Sequence, residues 1–486
     1  MKPFVKSRKE NLILLADAYK YSHHKLYYPG TTKIYSYLES RGGKYDEVVF
    51  FGLQYYLKEY LEGAVFTKED IDEAEEVMTQ VFGRSDVFDR SIFDYILETH
   101  GGRLPICIKA VPEGMAIPTH QLLMTIENTD PKCFWLTNFL ETLIMQIWYP
   151  ITVATVSREI KKLVVKYFDE TATPGSESGI DFILNDFGCR GVSSMESAGI
   201  GASAHLINFN GSDTIIGSVF AQRYYYAQKI FGMSIPATEH SICTLLGEQK
   251  EKEIFRHVLE TFPTGIVACV SDSFNIFRAC AQYWGEEFKD QILNRDGVLV
   301  IRPDSGDPVK TLLKVYEILF EKFGFTTNEK GYKVLPQQIR VIQGDGVNYD
   351  SIKIIYEQLK EQKISAENLV LGMGGALLQK VDRDTQKFAL KCSYAEMNGT
   401  GIEVFKSPTE MDANGNIAPS FKKSKAGRLK LIQINGKFLT VKEGEYVEHT
   451  DFLQTVFENG VLTQQITYEN VRNNAKFQGK QIKGDF

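Results

Sequence analysis

In VLVIRPDSGDPVK (298–310), four apolar residues run straight into Arg302, Pro303, Asp304, Ser305 and Gly306. A helix N-cap by Asp304 or Ser305 would account for the polar residues. So would the mouth of an α/β barrel, where strand ends carry the chemistry. Two more loops have the same character. QGDGV (343–347) offers Gly344, Asp345 and Gly346, and GMGGALLQK (372–380) offers Gly372, Gly374 and Gly375 ahead of a helical pattern. Glycines let backbone amides approach an anion, and a helix N-terminus adds partial positive charge. One glycine after a strand is only a turn; three such loops at successive strand ends point to a shared phosphate pocket.

LNDFGCRGVSS (184–194) places Phe187 and Arg190 close together. An aromatic beside a cation can stack a planar ring and hold an anion, although a core phenylalanine and a surface arginine would read the same way. PATEHS (236–241) sets Glu239 beside His240. A carboxylate next to an imidazole can fix its tautomer and raise its basicity; a lone surface histidine is the plainer reading. His23, His24 and His205 read as structural. Lys391, Lys406, Lys422, Lys423, Lys425 and Arg428 crowd the C-terminal part. Such a run is commonly a solvated face, and it could instead bind a polyphosphate.

The elements that must position these loops are visible in the hydrophobic pattern. From about residue 180, DFILNDFGCRG, SDTIIGS, GIVACVSDS, VLVIRPDSGDP, RVIQGDGV and NLVLGMGGAL follow one another, with helical patterns such as 349–362 between several of them. Strand, polar loop and helix in repetition mean a parallel sheet with its functional loops at one edge, and the count favours barrel-like closure. The flanking parts differ. TTKIYSYLES (31–40) alternates as a strand, Thr67 and Asp70 have capping-box spacing ahead of a helix, and 133–168 is helical. RLKLIQINGKFLTV (428–441) alternates around Asn435-Gly436, a type I′ hairpin signal. The fold expected is α/β: a barrel-like parallel α/β domain at 179–390, with an α+β domain built from 1–178 and 391–486.

The 486 residues are 43% hydrophobic and 24% charged, with a net charge of −7. No basic footprint for nucleic acid appears, so an anionic ligand needs a local basic pocket. Seven scattered cysteines without a CxxC pair fit free thiols in a reducing compartment better than a disulfide framework or zinc site. FWLTNFLETLIMQIWYPITVATV (134–156) is interrupted by Asn138, Glu141, Gln146 and Pro150. It reads as a buried helix ending before Pro150, with no membrane span, and the chain reads as cytoplasmic.

Together these stretches resemble the nicotinamide phosphoribosyltransferases, of the type II phosphoribosyltransferase family. The resemblance runs from LLADAYKYSHHKLYYPGTTKIYSYLESRG to the hairpin after SKAGRL. It is most specific in NTDPKCFWLTNFLETLIMQIWYPITVAT, NDFGCRGVSSMESAGIGASAHL, PATEHS, IRPDSG, VIQGDGV and GGALLQK. It implies formation of nicotinamide mononucleotide and pyrophosphate from nicotinamide and phosphoribosyl pyrophosphate, with Mg2+ as cofactor. It also implies ATP hydrolysis coupled through a phosphohistidine, and a homodimer with shared active sites. Carried over, Phe187 and Tyr19, the latter from the partner subunit, would sandwich the pyridine ring. Asp213, in NGSDT, would accept from the carboxamide, and Arg190 and Ser271 would also contact substrate. Arg302, Gly344, Asp345, Gly374 and Gly375 would hold the 5′-phosphate region and Asp304 the ribose hydroxyls. Arg41, Arg383, Lys391 and Lys406 would hold the pyrophosphate, and His240 would be phosphorylated. The catalytic set implied is His240, Asp304 and Arg302; the resemblance leaves the metal ligands unassigned.

Two positions depart from the family pattern. Asn275 in VSDSFNIF stands where an aspartate near the histidine is expected, and Ala389 in KFALKCSY where a serine is expected. The loop 407–421 is also longer than expected. These imply a less polarised His240 and one donor fewer for the pyrophosphate. The alternatives are a nicotinate phosphoribosyltransferase, which Asp213 disfavours by charge, and a phosphate-binding barrel isomerase or aldolase, which lacks a clear Schiff-base lysine or acid/base pair. A non-catalytic binding protein on the same scaffold would be expected to have lost Arg302, Asp304 or His240.

Overall fold

A computed structural model describes residues 10–411, 417–419 and 423–477. The chain divides into two units. One comprises the residues up to Thr152, Tyr224–Tyr226 and Asp382–Ala475; the other comprises Val153–Arg223, Ala227–Val381 and the residues after Ala475. The divisions thus fall at 152/153 and 381/382, ahead of the expected 178/179 and 390/391. The first lies inside a helix, Trp148–Thr171. That helix does not end before Pro150. It begins at Trp148 with Pro150 in its first turn, where the missing N–H has no intrahelical acceptor to lose. Pro131–Thr171 is long and apolar enough to cross a membrane by length and composition, yet 67% of its apolar window is buried inside the protein.

The first unit is α+β and uses both ends of the chain. Its seven-stranded sheet is antiparallel throughout, in the order Thr400–Glu403, Phe388–Met397, Thr31–Ser40, Leu122–Asn128, Ile106–Ala110, Gln454–Glu458, Val461–Leu462. The C-terminal strand Phe388–Met397 pairs directly with the N-terminal Thr31–Ser40, Tyr37 opposite Lys391. The local signals behave as their chemistry dictates. Thr67 and Asp70 form a reciprocal capping box. Asn435 and Gly436 both adopt positive φ and join Leu429–Ile434 to Lys437–Lys442 as a two-residue hairpin.

The second unit is the parallel α/β domain. Its strands are β1 (Leu184–Asp186), β2 (Gly211–Ser212), β3 (Gly265–Val270), β4 (Gly297–Arg302), β5 (Ile339–Gln343) and β6 (Leu369–Met373), in the sheet order β2-β1-β6-β5-β4-β3. Its two edges are joined by an irregular segment. Met233 exchanges hydrogen bonds with Asn210 and Ser212 beside β2, and Pro236 and Thr238 do so with Ala268 of β3. Pro236 explains why this segment carries no regular strand pattern. Counting it, every strand neighbours its predecessor in sequence, as in a barrel. Glycine makes room at two tight crossings: a Cβ on Gly211 would lie 2.0 Å from the Asn185 carboxamide oxygen, and one on Gly297 would lie 1.9 Å from the Gly265 carbonyl. Helices follow the strands. Pro308–Phe323 after β4 is capped by Asp307, whose carboxylate accepts from the Lys310 N–H, so neither Asp304 nor Ser305 is spent on that cap.

Candidate active site

The C-terminal ends of the six strands carry the residues with chemistry. Phe187 follows β1, Asp213 follows β2, Ser271 and Asp272 follow β3, and Arg302 ends β4 with Asp304 two residues on. Gly344 and Asp345 follow β5, and Gly374 and Gly375 follow β6. Inside the barrel lies a cavity of about 430 Å3, lined by Phe187, Asp213, Ser234 and Arg302 at this end and reaching Ile266, Val298 and Arg340 near the strand starts. Ala268, Val300 and Ile342 form its apolar wall, with Phe187 packed against them.

The Phe187 ring is held where a side chain would otherwise stand. A Cβ on Gly372 would lie 2.0 Å from Phe187 Cε2, so Gly372 serves the aromatic ring and not an anion. The Arg302 guanidinium lies over the ring at 5.5 Å. Asp186 fixes the turn. Its buried carboxylate accepts from the Gly188 N–H at 2.7 Å and the Ser212 hydroxyl at 3.1 Å, and burial raises its pKa. The next loop is capped by Ser212, whose Oγ accepts from the Thr214 N–H at 3.0 Å. Asp213 is therefore not the turn cap. Its side chain lines the cavity, with one oxygen taking the Ser234 hydroxyl. Arg190 lies exposed in the turn after Phe187.

Arg302 donates to Asp304 Oδ1 from Nη2 at 2.9 Å and from Nε at 3.2 Å. A Cβ on Gly344 would sit 3.3 Å from this guanidinium, so the glycine opens the approach to Arg302. The Asp304 backbone N–H donates to Asp272 Oδ2 at 3.0 Å, and Asp272 Oδ1 meets His240 Nε2 at 3.1 Å. The Asp272 side chain is 3% exposed and that of His240 50%. One buried carboxylate thus ties the exposed imidazole to the Arg302–Asp304 loop.

Asp272 corrects two expectations. The carboxylate beside His240 is not Glu239, which takes the Ser241 hydroxyl. Nor does Asn275 leave the histidine without one: Asn275 caps the following turn by accepting from the Arg278 N–H, while Asp272, three residues earlier, supplies the charge. The sequence signal was available, since GIVACVSDS is an apolar run ending in an acid, just as VLVIRPDSG is. Ser234 had no such signal, because its role depends on a tertiary contact. Ser271 is buried, its hydroxyl donating to the Cys269 carbonyl and accepting from Trp284 Nε1. That geometry makes it a brace for the loop after β3. His205 is buried and bonded to Ser157 and the Gly211 carbonyl.

The remaining candidates belong to the first unit. Arg41 donates to buried Glu39, while its Nη2 is buried without a hydrogen-bond partner. Lys425 holds the other oxygen of Glu39. Lys391 is half-buried. Burial, and then the charges of Arg41, Lys406 and Arg383, lower its pKa, against the pull of Glu141. The other three expected pyrophosphate ligands are therefore close enough to act on Lys391, the setting of an anion site. Arg428 is used differently, forked onto Glu127 at 2.8 and 2.9 Å and onto Glu443. Ala389 lies on the edge of this cluster, paired with Glu39 across the sheet. Lys423 is exposed, and Lys422 and much of the 407–421 loop fall outside the described residues. Tyr19 is 58% exposed, its ring edge-on to His23 at 5.0 Å. Among the described residues the only set of three metal-type donors in close range is His100, Asp130 and Cys133. There Asp130 already caps a turn and accepts from His100 and Tyr95.

A parallel barrel-like sheet whose strand ends gather an aromatic ring, an arginine and glycine loops is a fold shared with solved enzymes of pyridine nucleotide synthesis. A nicotinate-nucleotide pyrophosphorylase from Pyrococcus furiosus aligns over 100% of both chains with a TM-score of 0.60 at 16% identity. Human nicotinic acid phosphoribosyltransferase aligns over 97% of this chain and 95% of that one, with a TM-score of 0.53 at 14% identity. The sequence is far more similar to two bacterial nicotinamide phosphoribosyltransferases. The protein from Xanthomonas campestris pv. campestris is 45% identical over 96% of this chain and 98% of its own length. That from Acinetobacter baylyi is 32% identical over 94% and 95%. The pattern of the nicotinate phosphoribosyltransferase (NAPRTase) family matches residues 182–460, and that of the nicotinamide phosphoribosyltransferase N-terminal domain matches 11–108. The chain belongs to the nicotinate phosphoribosyltransferase family.

The close approach of Gly372 and Phe187 predicts a coupled pair. Gly372→Ala should cost about 1–3 kcal/mol through overpacking. Phe187→Ala should relieve that clash, so the double variant is more stable than the sum of the single losses allows. Denaturant unfolding of the four proteins measures it; strict additivity would place the ring elsewhere.

Proposed function

We propose that the chain transfers the phosphoribosyl group of phosphoribosyl pyrophosphate to nicotinamide, releasing pyrophosphate and forming nicotinamide mononucleotide for NAD salvage. The observation that carries this reading is the Asp213 carboxylate, turned into the same cavity as the Phe187 ring and Arg302. An ionised carboxylate only accepts hydrogen bonds, and a carboxamide NH2 is its donor. Nicotinate would set a second carboxylate against it, and two like charges at close range are costly. The names of the similar bacterial proteins support the same choice.

The chemistry suits these residues. The pyridine nitrogen has a free lone pair, so no general base is required. It attacks C1 of the ribose as the C1–O bond breaks through an oxocarbenium-like state. The protein supplies alignment and stabilisation of the departing charge. Phe187 holds the ring and Tyr19 of the partner subunit covers its other face, and π faces favour the positive charge that grows on it. Arg302 and the Gly344 and Gly374–Gly375 loops take the 5′-phosphate, with Arg190 beside it, and Asp304 takes the ribose hydroxyls. Arg41, Arg383, Lys391 and Lys406 take the pyrophosphate. Asp304 and Asp345 offer hard oxygen donors which, with substrate oxygens, suit Mg2+. Bound there, Mg2+ would supply Lewis-acid neutralisation of the leaving group. His240, backed by Asp272, is the site at which ATP phosphorylates the enzyme to drive the reaction forward. The protein works as a homodimer in the cytoplasm, where seven unpaired cysteines are at home.

Asp213→Asn tests the carrying observation. A site that hydrogen-bonds a substrate NH can reject the analogue lacking it by ~10⁴-fold, whereas shape alone gives roughly 10–200-fold. The variant should lose at least tenfold of its preference for nicotinamide and admit nicotinate, measured by competition between the two labelled bases. An unchanged preference would remove Asp213 from base recognition. His240→Ala should abolish ATP stimulation and lower the ATP-free rate without eliminating it; normal stimulation would remove His240 from the coupling. Mixing Tyr19→Ala with Arg302→Ala protein should restore part of the activity once subunits exchange. No recovery under confirmed exchange would show that each subunit builds its site alone.

A further inference from the structure

We propose that Cys243 and Cys269 form a redox-modification site, closing to a disulfide that ties the helix carrying His240 to strand β3. Cys243 ends the four-residue helix His240–Cys243, and Cys269 is the penultimate residue of β3. Both are fully buried, and both sulfurs meet one hydroxyl: Cys243 donates to Thr238 Oγ1 at 3.3 Å, and Thr238 Oγ1 donates to Cys269 Sγ at 3.7 Å. Both sulfurs also reach the Val270 carbonyl oxygen, Cys243 at 3.2 Å and Cys269 at 3.6 Å. Thr238 belongs to the segment that closes the barrel and accepts the Val270 N–H at 2.9 Å, so backbone ties hold the two cysteines in register.

Buried thiols mostly act as small apolar groups, and two features set this pair apart. The first is its cover. Cys243 is the one buried residue between Glu239 and Lys250, with exposed neighbours on both sides, so the chain that carries it lies at the surface. The second is the polarity of the contact. The Cys269 thiol beside it brings the Cys243 pKa below the ordinary thiol range, while burial, and then its neighbour, push Cys269 up. Cys243 is therefore the attacking sulfur and Cys269 the resolving one. The oxidant class is a hydroperoxide. The Cys243 thiolate attacks one peroxide oxygen and the O–O bond breaks; with a proton the other oxygen leaves as water, and a sulfenic acid remains. The Cys269 sulfur then attacks the sulfenic sulfur, and a second water leaves with the Cys269 proton. Two thiols are oxidised by two electrons, and hydrogen peroxide is reduced to two waters.

The consequence is mechanical. Two sulfurs that share the Thr238 hydroxyl and the Val270 carbonyl must close to a bond of ~2.0 Å. That draws the helix carrying His240 towards β3 and removes the S–H that Thr238 accepts. The imidazole sits three residues from Cys243, and its partner Asp272 three residues from Cys269, so the His240–Asp272 contact is strained first.

The test treats reduced full-length protein with hydrogen peroxide, blocks remaining thiols under denaturing conditions, and maps the peptides by mass spectrometry. The expected result is a linked Cys243–Cys269 peptide, lighter by two hydrogens and reversed by dithiothreitol. Phosphoribosyl transfer should fall at least threefold on oxidation and return on reduction. Cys243→Ala and Cys269→Ala should keep their activity through the same treatment, while Cys280→Ala, which removes another buried thiol, should respond as the wild type does. Recovery of both cysteines as free thiols, or of Cys243 as a sulfinic acid without the link, would overturn the site. A link that leaves activity and ATP response unchanged would overturn its control of the histidine. The peptide map does not depend on which base the enzyme uses, so failure of the substrate assignment and failure of the dithiol are separable.

Discussion

The second unit depends on closing a sheet that its own regular strands leave open. β2 and β3 would each present a row of unpaired backbone groups, and such edges are a liability. The segment Met233–Thr238 satisfies both edges with four backbone hydrogen bonds. Because it must follow two edges at once, its residues are fixed in position without being in a regular strand. Ser234 is thereby held at Asp213, Thr238 at the two cysteines, and His240 emerges where Asp272 can meet it. The partner of Asp213 and the approach to the histidine thus lie on one short stretch of chain, and a disturbance of that stretch reaches both.

Much of this was legible in the residues themselves. The capping box at Thr67, the Asn435-Gly436 hairpin and the strand–loop–helix rhythm after residue 180 are local signals, and each appears in the structure as its chemistry requires. The carrying loops were readable because buried strands ending in polar residues are conspicuous. What escaped is tertiary. Met233–Thr238 contains Pro236 and does not alternate, so nothing in its pattern announces a strand position. Glu239 adjoins His240 in sequence, yet the carboxylate on the imidazole comes from 32 residues further on. Pro150 reads as a helix end in the sequence because a proline within an apolar run has two meanings, terminus or first turn, and only the caps decide between them.

Glycine offered a similar ambiguity. Gly344, Gly372, Gly374 and Gly375 look alike in sequence, each beside a strand end. Gly344 clears the approach to Arg302, and Gly372 clears the Phe187 ring. The first role leaves room at a cationic side chain and the second at an aromatic one, and no spacing rule separates them.

The cations around Arg41 sit on a protein whose net charge is −7. The two facts act at different ranges. Beyond the Debye length of ~8 Å at physiological ionic strength, the global field is mostly screened and offers an approaching polyanion no guidance. Within that distance it meets Lys391, already short of water, and an Arg41 nitrogen with nothing to bond. Capture there would be a matter of contact and not of steering, and the gain would grow with the number of negative oxygens that arrive together. A ligand with a single phosphate collects little of it. In the proposed pyrophosphate role, the cluster would sort small molecules by charge density before any other feature of their shape is consulted.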